Sequence, residues 1–168
     1  GVYLGEPTKK VTRYVPDAEE LKKLQRLCRS SDDEMRWLLA LISDTGLRLS
    51  EALGLSKGEV FLDTSTPYIV IEPKPWRRLK TADSERVVPL VGEALWSAQR
   101  ATAASYNDYL FPNYCDGNQV KSNSASSALN KWLKANVSKE IVVHSLRHAM
   151  RDRLRAVECP ANIIDQIG

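Results

Sequence analysis

Arg48, Lys80, His144 and Arg147 are the side chains of this sequence whose types and positions suit a common chemistry. Arg48 opens a helical pattern directly after a break at Gly46. His144 and Arg147 flank Ser145, the expected N-cap of a long helix, and their i, i+3 spacing puts both on one turn. Lys80 sits at the mouth of an expected β-hairpin. A helix N-terminus turns free N–H groups and the positive end of its dipole toward an anion. Guanidiniums add paired donors in a planar fork. Such a cluster suits a phosphodiester, whose in-line displacement requires its equatorial oxygens to be neutralised.

Each residue also has a plainer explanation. Arg48 and Glu51 form an i, i+3 helix pair that contributes a few tenths of a kcal/mol. Lys80 reads as one more solvated hairpin charge beside Lys74, Arg77 and Arg78. His144 reads as a capping or core histidine, and Arg147 with Arg151 and Asp152 as a solvated helix face. Taken singly, every plain reading outweighs the chemical one. The chemical reading rests on the four together.

The elements that must position these groups follow from periodicity. Asp17 caps a helix with Glu19 and Glu20 at its positive end and Leu21, Leu24 and Leu27 as its apolar stripe. Ser31–Glu34 starts a second helix, with Met35, Leu38, Leu39 and Ile42 inward and Gly46 as a left-handed cap. A short third helix spans Arg48 to Leu55. The period then changes: Tyr68–Ile71 and Arg86–Leu90 are β-branched runs, Thr81–Glu85 is turn-like, and Glu59–Leu62 supplies an edge strand. Helices resume at Gly92 and after a cap at Ser122 or Ser124, the latter with Ala125, Leu129, Trp132 and Leu133 inward. Ile141–Val143 reads as extended, and a helix runs from Ser145 to about Val157. Pro160 breaks it, and Ala161–Ile167 begins another. The expected fold is α+β: a mainly helical domain with a small three-stranded antiparallel sheet, residues 16–168, preceded by an arm or linker at residues 1–15.

Composition bounds the rest. A chain of 168 residues with 43% hydrophobic content can bury one core. Its longest apolar runs are a few residues, such as Trp37–Ile42, too short for a membrane helix. Cys28, Cys115 and Cys159 form no C-x-x-C pair, which argues against a disulfide framework or zinc knuckle and fits a reducing cytoplasm. The net charge is only +3. Residues 121–168, however, carry eight Lys/Arg against four Asp/Glu, a distribution that suits a polyanion.

Three segments together resemble one family. Thr45-Gly-Leu-Arg-Leu-Ser-Glu-Ala-Leu-Gly-Leu55 resembles the first arginine box of the tyrosine recombinases, the phage-integrase family. Lys80-Thr-Ala-Asp-Ser-Glu-Arg-Val-Val-Pro-Leu90 resembles that family's lysine hairpin, and His144-Ser-Leu-Arg-His148 its His-x-x-Arg box. They occur in the family's order, and the resemblance runs from Pro16 to Gly168. It implies the catalytic-domain fold and site-specific DNA recombination or integration through a 3′-phosphotyrosine intermediate. Arg48 and Arg147 are then the arginines on the non-bridging phosphate oxygens, and Lys80 the general acid toward the leaving 5′ oxygen. His144 assists proton removal from the attacking tyrosine. Glu51 orients its neighbours, and His148 is a supporting contact.

The resemblance implies double-stranded DNA as partner and no metal or nucleotide cofactor, in keeping with the lack of a P-loop or carboxylate cluster. Ala149 stands where the family often has a small hydroxyl residue. The family's third histidine or tryptophan and its nucleophile are expected beyond Ile167-Gly168. Tyr3, Tyr14, Tyr68, Tyr106, Tyr109 and Tyr114 all precede His144, and none matches the nucleophile. This fragment is therefore expected to bind DNA as a monomer without cleaving it, whereas the full-length enzyme is expected to act as a tetramer on paired sites in the cytoplasm. Three alternatives stay open: a non-catalytic DNA-binding module of the same fold, a type IB topoisomerase, and a metal-free ribonuclease built on His144 and Lys80.

Overall fold

In the computed structural model, residues 13–79 and 84–157 are described. The arm before residue 13, Lys80 with Thr81–Asp83, and the break and further helix expected after Val157 lie outside the described residues. Six α-helices and a three-stranded sheet make up the described chain.

Two acidic caps set the first helices. α1 (Ala18–Ser31) starts at Asp17, whose carboxylate accepts the Glu20 N–H at 2.8 Å while Glu20 accepts the Asp17 N–H at 3.1 Å. This reciprocal pair satisfies two otherwise orphaned donors. Its buried stripe is Leu21, Leu24 and Cys28 rather than the expected Leu27, because the buried face follows the i, i+3, i+7 positions. α2 (Glu34–Thr45) is capped by Asp33, which accepts the Arg36 N–H at 3.0 Å. It is buried on nearly all sides from Trp37 to Ser43, packed among α1, α4 (Gly92–Ala104) and α6 (Val143–Ala156). This is the central helix of the core. It ends at Gly46 with φ +73°, the left-handed geometry that glycine adopts without steric cost.

α3 (Leu49–Leu53) follows at once, with Arg48 at its N-cap position. A 3-10 turn at Lys57–Glu59 leads into β1 (Val60–Phe61), which pairs with β2 (Tyr68–Ile71). β2 pairs in turn with β3 (Arg86–Pro89), giving an antiparallel sheet in the order β1-β2-β3, as the sequence predicts. Ile69, Ile71 and Val88 face the core, whereas Val87 and Phe61 face outward. The Tyr109–Pro112 segment also enters the core: Leu110 donates its N–H to Leu55 at 3.0 Å and buries its side chain with Phe111.

The C-terminal helices depart from expectation at their starts. α5 (Ser122–Asn136) begins with Lys121 in the cap position and without a side-chain cap, so neither Ser122 nor Ser124 performs that task. Its buried face is Ala125, Leu129 and Leu133, with Trp132 only partly covered. Ile141–Val143 forms no strand, since Val143 already belongs to α6. Ser145 lies in the first turn of α6 rather than at its cap. Its hydroxyl accepts the Val142 N–H at 3.1 Å, reaching back to the cap from inside the helix.

Candidate active site

α6 lines the site along most of its length. Asn130 of α5 accepts the Val143 N–H at 2.9 Å, which fixes where the helix begins. Leu146 and Ala149 bury on the core side. His144, Arg147, His148, Arg151, Asp152 and Arg155 then line one open cleft of about 310 Å³, together with Arg48 from the start of α3 and Arg13. Arg48, distant along the chain from His144 and Arg147, therefore meets them in one cleft. Lys80 lies outside the described residues; at the far end of the same connection, the Ser84 hydroxyl is 3.4 Å from Arg48 Nη1.

Arg147 is not a solvated helix charge. It is 6% exposed, and its Nη1 donates to the Gly46 carbonyl at 2.8 Å. Burial and, next, the like charge of Arg48 push its pKa down to about 10. The guanidinium still carries its charge at neutral pH, but that charge is held where an anion would relieve it. Gly46 makes this approach possible: a Cβ there would meet Met150 Cγ at 3.2 Å.

Glu51 is committed elsewhere than its sequence spacing suggests. Its carboxylate accepts two bonds from Arg86, at 2.8 and 2.9 Å, and the Arg48 N–H at 2.9 Å, while the Arg48 guanidinium is 3.6 Å away. Burial pushes the Glu51 carboxyl up, but the Arg86 bonds and charge and the Arg48 N–H outweigh it and hold the group below its usual range. The pair thus ties β3 to the start of α3 and fixes the backbone from which Arg48 projects. Arg86 alternates onto the same buried face of β3 as Val88, and a charge on that face is the signal in the sequence that points to such a partner. Arg77, read from sequence as a solvated hairpin charge, is also buried. It donates to Glu59 and to the carbonyls of Gly54 at 3.0 Å and Glu72 at 2.7 Å, locking the sheet to the segment after α3.

His144 is exposed at the rim, and its ring packs edge-to-face on His148 with centroids 4.5 Å apart. Partial desolvation, then His148, Arg147, Arg13 and Arg48, lower the His144 pKa; desolvation and then Arg13 and Arg147 lower that of His148. Both rings are therefore neutral at pH 7, which leaves His144 able to accept a proton.

Among the described tyrosines, Tyr14 borders this region, in an adjoining cavity with Arg13, His144 and His148. Its hydroxyl donates to Glu20 and accepts a bond from Ser138 at 3.3 Å. The Glu20 bond raises its pKa, which disfavours the phenolate a nucleophile needs. Tyr68 stacks on Phe61, and Tyr109 packs edge-on against Trp76, both engaged elsewhere. No group of three or more His, Cys, Asp or Glu able to hold a metal occurs among the described residues, and no helix among them is long and apolar enough to cross a membrane.

The arrangement can hold a phosphodiester: the guanidiniums of Arg48 and Arg147 and a neutral His144 imidazole line one cleft. Solved structures share the fold. The Tn1549 transposon integrase in complex with a circular intermediate DNA superposes over 97% of this chain and 58% of its own, with TM-score 0.69 and 14% identity. XerA recombinase matches over 92% of this chain and 55% of its own, with TM-score 0.70 and 23% identity. XerH site-specific recombinase bound to its difH substrate matches over 91% and 46%, with TM-score 0.68 and 20% identity. The chain thus spans about half the length of these structures. A search among curated proteins found no match. The sequence profile of the phage integrase family matches residues 15–168, and the chain belongs to that family.

Proposed function

We propose that this chain is the catalytic domain of a site-specific DNA recombinase or integrase that cuts and rejoins DNA strands through a 3′-phosphotyrosine. The observation that carries the reading is the convergence of Arg48, His144 and Arg147 on one cleft, with Arg147 buried against Gly46. Family membership and the DNA in two of the similar structures, those of Tn1549 integrase and XerH, support it.

In this reading the scissile phosphate sits between Arg48 and Arg147. Each guanidinium donates to a non-bridging oxygen, neutralising charge that grows as the phosphorus becomes five-coordinate. A tyrosine hydroxyl attacks phosphorus in line, and His144 takes up its proton. The bond to the 5′ oxygen breaks as Lys80 protonates that oxygen. The products are a phosphotyrosyl 3′ end and a free 5′ hydroxyl, which on another strand runs the same steps backward. Phosphodiester energy is retained in the phosphotyrosine, so the scheme uses no cofactor. Glu51 and Arg86 hold the backbone of Arg48, and His148 supports the His144 ring. The full-length protein acts on double-stranded DNA in the cytoplasm, as a tetramer on paired sites.

Binding of a short duplex at low salt tests the reading. Arg48→Ala and Arg147→Ala should each weaken it by tenfold or more, with Arg48→Ala the cleaner probe because that side chain is partly exposed. Unchanged binding by a folded Arg48→Ala protein would refute a phosphate in the inner cleft.

A further inference from the structure

Tyr14 carries a hydroxyl where the core needs only a ring. Its ring packs against the buried cluster, a task that phenylalanine performs equally well. The hydroxyl instead joins two elements that are far apart in the chain. It donates to Glu20 in the first turn of α1 and accepts from Ser138 at 3.3 Å, 124 residues further on. Glu20 also accepts the Asp17 N–H at 3.1 Å, so one carboxylate closes the α1 cap and holds Tyr14. Ser138 lies on the connection between α5 and α6. There its carbonyl accepts the Ile141 N–H at 3.3 Å and its hydroxyl the Glu140 N–H at 3.4 Å. That connection leads directly into the first turn of α6 and His144.

Arg13, the residue before Tyr14, lines the main cleft and also the adjoining cavity of about 290 Å³ that Tyr14 borders; His144 and His148 are the other residues common to both. Arg13 is exposed, and an exposed arginine on an untethered segment samples many rotamers in screening water. Tethering the next residue fixes the backbone from which its guanidinium projects. The other charges around His144 are Arg48 at the start of α3, Arg147 on α6 and Glu140 on the α5–α6 connection. Around His148 they are Arg147, Arg151 and Asp152, all on α6. After desolvation, the Arg13 charge is the strongest influence that keeps His148 unprotonated. It acts in the same sense on His144, where desolvation, His148 and Arg147 precede it.

We infer that Tyr14 is a positioning residue for the proton acceptor: by bridging Glu20 and Ser138 it holds Arg13 against the His144–His148 pair and so keeps those rings uncharged. The inference rests on the reading of His144 as the group that takes up the proton of the attacking hydroxyl. The segment leading into α1 thereby acts on the chemistry of the cleft through one hydroxyl and one guanidinium. A general base must be neutral at the working pH to accept a proton. A cation held nearby secures the neutral form through space, without occupying the ring nitrogen that receives the proton.

The test is the titration of the two histidines by proton NMR, on the 168-residue chain without DNA. Because the sequence has only these two, His148→Gln assigns both ring signals. Arg13→Ala should raise both midpoints by roughly 0.3 pH, the scale of one charge acting through water. Tyr14→Phe keeps the ring, removes both hydrogen bonds and should raise them in the same direction. Ser138→Ala removes one tether and should do so by less. The double variant of Arg13→Ala with Tyr14→Phe should match Arg13→Ala alone, since the tyrosine acts through the arginine. Lys22→Ala, on the exposed face of α1, should leave both midpoints at their wild-type values. The inference falls if Arg13→Ala shifts neither ring. It falls equally if Tyr14→Phe and Ser138→Ala lower the melting temperature while both rings titrate as in wild type, for Tyr14 is then only a structural tether. A similar rise in Lys22→Ala assigns the effect to net charge and overturns it too. None of these results touches the phosphate reading, because no DNA is present. That reading fails separately, through unchanged duplex binding by Arg48→Ala; the rings then have no reaction to serve, and the positioning role falls with it even where the titrations shift.

Discussion

The Arg86 and Glu51 side chains are 1% and 2% exposed, and each is the other's charge partner. A buried pair of this kind contributes little net stability over an apolar pair, but removing one member strands the other. Arg86→Ala should therefore destabilise the domain by about 3–5 kcal/mol in chemical denaturation. The same carboxylate sets an acid dependence. Its folded-state pKa lies below the unfolded value, so its stabilisation is present at neutral pH and is lost as pH falls through the depressed value. The histidines have the opposite charge type. With folded pKa values below the ordinary 6.5, His144 and His148 resist protons that the unfolded chain accepts, so stability declines as pH falls from about 6.5 toward the depressed values. A bound phosphate reverses that penalty by favouring imidazolium. Duplex affinity should therefore rise a few-fold between about pH 7.5 and pH 6, with uptake of protons on binding. His144→Ala should flatten the profile. A wild-type affinity that does not change with pH over this range would show that His144 makes no phosphate contact.

At the scale of elements, the turn between α2 and α3 is where fold and site depend on one backbone position. Gly46 combines φ +73° with the approach of Met150 and the carbonyl that Arg147 uses. Gly46→Ala places a Cβ in the left-handed region and 3.2–3.3 Å from Met150. It should cost about 1–2 kcal/mol from backbone strain alone, read as a lower denaturation midpoint, and should weaken duplex binding by shifting Arg147. An unchanged midpoint would mean that the turn relaxes at no cost. Local signals made much of this region legible in sequence. The Asp17 and Asp33 caps, the Gly46 stop and the two β-branched runs all act through neighbours within a few residues. The misplaced features are those decided at long range. Ser145 was expected to cap α6, but Asn130 of α5 takes the Val143 N–H and moves the start two residues earlier. Arg77 was expected in solvent, but Glu59 and three carbonyls from other elements draw it inside. The convergence of Arg48, His144 and Arg147 was legible only because three boxes occur in a recognisable order; the contribution of Arg13 and the Glu51–Arg86 pair carry no such signature.

At the scale of the whole molecule, α6 has two faces with separable duties. One lines the cleft; the other is fastened to the core through Asp44 at the end of α2. That carboxylate accepts from Arg153 of α6 at 3.1 Å, from Gln25 of α1 at 3.2 Å and from the Glu93 N–H at the start of α4 at 2.8 Å. Three helices are thus referred to one residue of the central helix, 14% exposed on its side chain. Asp44→Ala removes all three acceptor contacts and leaves the α4 N-terminus short of an anion. The loss should be about 2–3 kcal/mol, less than a sum of separate bonds because they share one partner. For a domain of this size that is a fall of the order of 5–10 °C in melting temperature. Neither Asp44 nor its partner Arg153 lines the cleft, so the charge presented to DNA is unchanged. Duplex affinity well below the melting temperature should then match wild type, with the same salt slope. Retained affinity in a destabilised variant means that α6 is held rigidly enough by Leu146, Ala149 and the Arg147–Gly46 contact to keep its cleft face in place. A parallel loss of affinity and stability would mean instead that the cleft is assembled only by the full set of helix contacts, and that binding DNA must itself supply part of that order.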